Sequence, residues 1–120
     1  MIEINLLING EQRTYTKSRF TLKESIYAMQ HQIIRDNHYS DQEKFNDPEA
    51  FESVQQHLAE TISKIFGNQF SPEQLMDGLE IKDKIMIDKT LVLALGGELK
   101  KEEKSDEEEA EDDGEKKQSA

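Results

Sequence analysis

The chain of 120 residues contains no cysteine, no tryptophan and only two prolines. The missing cysteine excludes disulfides, thiolate nucleophiles and zinc–thiolate sites together, and it fits a reducing compartment. No stretch approaches the roughly eighteen consecutive apolar residues of a membrane span. Nor does a charged-then-apolar leader open the chain, so a soluble intracellular protein is expected. Basic residues are scarce: 15 Lys and Arg stand against 26 Asp and Glu, a net charge of −11. Such a surface lacks the positive footprint that displaces counterions from nucleic acid, and anionic membranes repel it. Its electrostatic complement is a basic protein partner.

Signatures of catalysis are also missing. No Gly-rich phosphate loop occurs, and no serine or lysine sits in a nucleophile setting. His31 and His38 are seven apart and fit one helix face, but no ligand stands between them at metal-site spacing. With His57 they read as surface histidines. The acidic residues read as solvated helix faces rather than a catalytic pair. The eight aromatic residues are not interleaved with basic ones, as a single-strand binder requires. The chain is therefore read as non-enzymatic, with no catalytic, cofactor-binding or metal-binding residue assigned.

What is present divides at Gly96-Gly97. Residues 1–97 are patterned and suffice for one small domain. Residues 98–120 hold eleven acids and five bases, and their aliphatics are Leu99 and two alanines. Nothing there offsets chain entropy, so a disordered acidic tail is expected.

Within 1–97, Ile2, Ile4 and Leu6 alternate with polar residues, and Asn9-Gly10 follows. That dipeptide suits a type I′ turn, which needs positive φ at both central positions. A hairpin over 2–16 is predicted. It serves either as a small sheet capping the helices or as an edge offered to a partner strand. Thr21 to Glu24 is a capping box. Leu22, Ile26, Met29 and Ile33 then recur at steps of four, three and four, the apolar face of a helix over about 21–38. A polar connection follows, with Phe45 returning to the core. Asp47-Pro48-Glu49 starts a second helix over 48–66, whose stripe is Phe51, Val54, Leu58, Ile62 and Ile65. Gly67-Asn68 stops it. Ser71-Pro72 starts a short helix over 72–79, and a dense apolar helix is predicted over 81–95, stopped by Gly96-Gly97. The fold class is α+β, mainly α: a hairpin and three to four amphipathic helices. The face of Ile85, Ile87, Leu91, Val92 and Leu95 is the candidate partner-binding surface, with ordinary core as its alternative. On the surface reading, Leu91→Asp weakens partner binding and leaves helical content intact.

The order of parts resembles a known family. An Ile-Glu-Ile-Asn-Leu strand and an Asn-Gly hairpin lead into two helices. Then come Phe70-Ser-Pro-Glu-Gln-Leu-Met-Asp-Gly-Leu79 and a segment ending Leu95-Gly96-Gly97. This is similar to the small tail assembly chaperones of long-tailed bacteriophages of Gram-positive hosts, across roughly 1–97. The resemblance implies a non-enzymatic chaperone that coats and solubilises the tape measure protein and recruits the major tail (tube) protein. It implies action in the host cytoplasm and absence from the mature virion. It also implies a longer form made by a translational frameshift, for which Lys100-Lys101 is a reasonable place. A second copy of the chain is a further candidate partner. The rival readings are an acidic regulatory module that mimics nucleic acid and a minor structural protein of the virion.

Overall fold

Strand β1 (Ile2–Ile8) and strand β2 (Glu11–Lys17) pair antiparallel, in a register running from Ile2↔Lys17 to Ile8↔Glu11. This is a computed structural model, and it describes residues 1–97. The disordered tail expected over 98–120 lies outside the described residues. The turn is the one the sequence predicts: Asn9 has φ +53° and Gly10 φ +81°, so both central residues are left-handed. Alternation along β1 sends Ile2, Ile4, Leu6 and Ile8 into the core, and Leu7 points outward. On the outer face the registered pair Asn5 and Thr14 joins through a hydroxyl donated to the amide oxygen, 2.6 Å.

Among the described residues five helices follow: α1 (Leu22–Ser40), α2 (Gln42–Phe45), α3 (Pro48–Ile65), α4 (Pro72–Gly78) and α5 (Lys84–Ala94). A single 3-10 turn, Ile81–Asp83, leads into α5. Their ends follow local chemistry. Capping boxes form at Thr21/Glu24 and Ser71/Gln74, and Asp47 caps α3 ahead of Pro48. Gly67 and Gly96 take positive φ and close Schellman motifs: Asn68 N–H donates to Ser63 C=O, and Gly97 N–H to Val92 C=O. The short α2 is a correction to the polar connection. Asp41 accepts from the backbone N–H of Glu43 and Lys44, enough to wind one turn.

The core lies between the buried face of β1 and the helices. It gathers Ala28 of α1, Ile62, Ile65 and Phe66 around the end of α3, Phe70, Leu75, and Ile87, Leu91 and Ala94 of α5. Burying each such aliphatic side chain stabilises the fold by about 1.5–3 kcal/mol. Tyr15 reaches in from β2 and meets Phe70 edge to face at 5.1 Å. Helix α4 approaches β1 at Gly78, where a Cβ would stand 2.6 Å from the carbonyl oxygen of Leu7. Only glycine permits that approach.

Helices α1 and α3 run antiparallel, as the facing pairs Tyr27/Lys64, His31/His57 and His38/Phe51 establish. Here the structure reverses an expectation. The apolar stripe of α1 does not face the core: Leu22 is 80% exposed, Ile26 49%, Met29 48% and Ile33 53%. The buried side carries Ala28, His31 and His38. Two polar anchors turn the helix this way. At its start, Lys17 of β2 bonds Glu24 at 2.8 Å, both side chains largely buried. Burial alone raises the Glu24 carboxyl's pKa. The hydrogen bonds from Lys17 and Thr21, with the charge of Lys17, outweigh it and hold the group below its ordinary value. Further along, His31 stacks on His57. Phe45 and Phe51, expected in or beside the core, are about half exposed.

Candidate partner-binding surfaces

The face expected on α5 is divided by the structure. Ile87 and Leu91 are 3% and 8% exposed and belong to the core. Leu95 is half-buried against them. Ile85 and Val92, on the other side of the helix, are 57% and 42% exposed. Aspartate at Leu91 is therefore a core lesion, not a probe of a surface.

Two shallow grooves flank α5. One, of about 210 Å³, runs between α3, α4 and the start of α5. Its floor is Leu58, Ala59, Leu75, Leu79 and Ile87, and its lips are Met76 and Ile81. Ile81 is 84% exposed although it sits in an ordered 3-10 turn. Gln55, Glu80 and Lys84 supply a polar rim. The other groove, also about 210 Å³, lies between α1 and α5. There Leu91, Val92 and Leu95 face Ala28, His31, Gln32 and Arg35. Periodicity placed Ile87, Leu91 and Leu95 on one stripe with Val92 beside it, and Ile85 was grouped with them. The packing sends Ile87 to the first groove and Leu91, Val92 and Leu95 to the second, and Ile85 lines neither.

The histidines are a second correction. His31 and His38 are buried, not on the surface. His31 lies ring over ring with His57, the planes 9° apart and the Nδ1 atoms 3.1 Å apart. That contact requires one Nδ1 to carry its proton and the other to accept it. Thr61 Oγ also approaches His57 Nδ1, at 3.4 Å. Burial, then the neighbouring His57 and Arg35, lower the His31 pKa from 6.5 to about 4, so His31 is neutral near pH 7. His38 packs edge to face on Tyr39 at 4.9 Å, and neither of its ring nitrogens has a partner among the described residues. The 31/57 pair joins residues 26 apart on different helices, and no local spacing announces it. Among the described residues, no three His, Asp or Glu side chains gather as a metal site needs. No described helix is long and apolar enough to cross a membrane.

The apolar stripe of α1, from Leu22 to Ile33, is exposed along its length and was missed as a surface. Its spacing was visible in the sequence. Its outward direction was not.

Comparison with curated proteins and with solved structures gives no match. A family model described as phage tail chaperone protein matches residues 1–117. That span covers the hairpin, all five helices and most of the acidic segment, and the order of parts agrees with the resemblance drawn from the sequence. The chain belongs to the phage tail chaperone family.

Proposed function

We propose that this chaperone acts by binding, without catalysis, and that its client is the tape measure protein of the same phage. The observation that carries the reading is the groove between α3, α4 and α5. It has an apolar floor, a polar rim and, at Met76 and Ile81, two large apolar side chains held in water. A long helical client with an apolar stripe suits such a groove, its side chains entering at i, i+3, i+4 and i+7 spacing. Covering the stripe keeps the client soluble. The net charge of −11 keeps coated complexes apart. Recruitment of the major tail protein, action in the host cytoplasm and departure before the virion is complete belong to the same reading. So does a longer form arising at Lys100-Lys101.

Co-expression with the tape measure protein tests it. The wild-type chain should bring the client into the soluble fraction. Met76→Asp with Ile81→Asp should remove most of that effect, with circular dichroism and melting temperature unchanged. Undiminished soluble client with the double variant defeats the groove as the client site.

A further inference from the structure

We propose that the outer edge of β2 pairs antiparallel with the same edge of a second copy, joining two hairpins into one continuous sheet about a twofold axis at Thr14. The two-residue turn makes Ile8 and Glu11 the first hydrogen-bonded pair, and bonding alternates from there. Glu11, Arg13, Tyr15 and Lys17 therefore turn their N–H and C=O toward β1. Gln12, Thr14 and Thr16 turn theirs outward. Two contacts agree with this phase. The Leu7 backbone, opposite Gln12 and so outward on β1, is met by α4 at Gly78. The Thr16 carbonyl accepts from the Gln69 side chain at 3.5 Å. Helix α4 thus covers the edge of β1, while among the described residues no strand lies beyond β2. Residues 98–120 hold no β-branched or aromatic residue, the types that fill strands. An edge left unpaired in this way is a template for another strand.

Register and charge select the occupant. With Thr14 opposite Thr14 of the other copy, all of Glu11–Lys17 is paired and Gln12 faces Thr16. Each of these outward-bonding pairs exchanges two backbone hydrogen bonds. In the closer pairs between them Arg13 faces Tyr15, a cation beside a ring, and Glu11 faces Lys17. Lys17 keeps its bond to Glu24 and gains a second carboxylate. Sliding the register by two residues sets Arg13 against Arg13 in one direction and against Lys17 in the other, and shortens the ladder. Parallel pairing sets every charge against its like. The fold leaves room for the second copy. The inward residues of β1 are at most 7% exposed, yet Glu11 and Arg13, on the same face of the sheet, are exposed. The helices therefore lie beneath β1 and the Lys17 end of β2, and the turn end of β2 overhangs them. Antiparallel pairing lays the overhang of each copy beside the half-buried Tyr15 and Lys17 of the other. Gln69 is an exposed side chain at the limit of hydrogen-bond reach, and the Gln12 N–H of the second copy takes its place at Thr16. The twofold uses one edge twice, so the assembly closes at two. A ladder of seven residues is a small interface, so the dimer forms reversibly and with concentration. No β2 residue lines the groove assigned to the client, and the inference does not depend on that assignment.

Sedimentation velocity of the full chain, from low-micromolar to near-millimolar concentration, tests the proposal. The wild-type chain should pass from monomer to dimer. Thr14→Pro should weaken dimerisation roughly tenfold or more, because it removes an outward N–H at the axis and spares the bonds to β1. Thr14→Lys keeps that donor but sets like charges together at the axis. It should weaken the dimer too, with circular dichroism and melting temperature unchanged, since Thr14 is exposed. Amide exchange reads the phase of the ladder. The Thr14 amide should gain protection as concentration rises, while those of Arg13 and Tyr15 are protected throughout. The chain has no cysteine, so introduced ones report the register. Hydrogen-bonded pairs hold their Cα atoms about 5.5 Å apart, within disulfide reach. On oxidation Thr14→Cys should crosslink to itself, and a mixture of Gln12→Cys and Thr16→Cys chains should give mainly the mixed disulfide. A chain that stays monomeric throughout overturns the proposal, as does a dimer indifferent to both Thr14 variants. Like-with-like crosslinking of Gln12→Cys and of Thr16→Cys overturns the antiparallel register. Loss of soluble tape measure protein on Thr14→Lys, where the wild-type chain never dimerises, assigns the edge to a client strand instead.

Discussion

His31 shows how little a residue's type says about its place. A histidine on a polar-looking helix position is ordinarily solvated, yet here it is 2% exposed and stacked on another histidine. Its pKa, lowered from 6.5 to about 4, links this residue to stability. Between those values the unfolded chain holds a proton that the folded one does not, so stability is full above about pH 6.5 and falls as pH drops toward 4. Urea midpoints of wild type and His31→Leu, compared near neutrality and near the lower limit, isolate this term from the carboxylates. Wild type should lose more stability across the window than the variant. Equal losses would mean that His31 does not carry the linkage.

At the scale of elements, the hairpin and the helix ends were open to reading from the sequence because they obey local rules. Asn9-Gly10, Thr21/Glu24, Asp47-Pro48, Ser71/Gln74 and the glycine stops all act over four or five residues, and each appears where expected. The one-turn α2 escaped because its cap, Asp41, precedes no apolar stripe. The seat of α4 on β1 was equally hidden. Gly78 looked like a residue inside or ending a helix, and the structure gives it the Leu7 backbone as a neighbour. Alanine ordinarily gains about 1 kcal/mol over glycine within a helix. Here the clash at 2.6 Å reverses that sign. Gly78→Ala should destabilise by about 1–3 kcal/mol, read as a lower urea midpoint, with α4 displaced from β1. An unchanged or raised midpoint would show that the contact gives way freely.

For the molecule as a whole, the decisive question is which apolar residues the core consumes. Leu91 and Ile85 sit on one helix and look equivalent by composition, yet one is 8% and the other 57% exposed. Leu91→Asp should cost about 3–5 kcal/mol, from lost packing and a carboxylate without a partner, enough to unfold much of a small domain. Ile85→Asp should stay within about 1 kcal/mol. Thermal melts followed by circular dichroism distinguish them, and two similar melts would place Leu91 outside the core. The core claims the β1 face, the C-terminal half of α3 and one side of α5. That leaves the α1 stripe and the groove lips Met76 and Ile81 exposed.

The sequence by itself determined the fold class, the hairpin, the start and stop of each long helix and the chain's place among tail chaperones. The hairpin and the helix ends rest on patterns written within a few residues of one another, and the family place rests on the order of parts along the chain. Only the tertiary structure decided which way each helix faces. Periodicity marks a stripe but does not say whether core or water meets it. For α1 the Lys17–Glu24 bond and the His31–His57 stack, contacts between separate elements, turned the apolar side outward. For α5 the packing drew Ile87 and Leu91 inward and left Ile85 and Val92 outside.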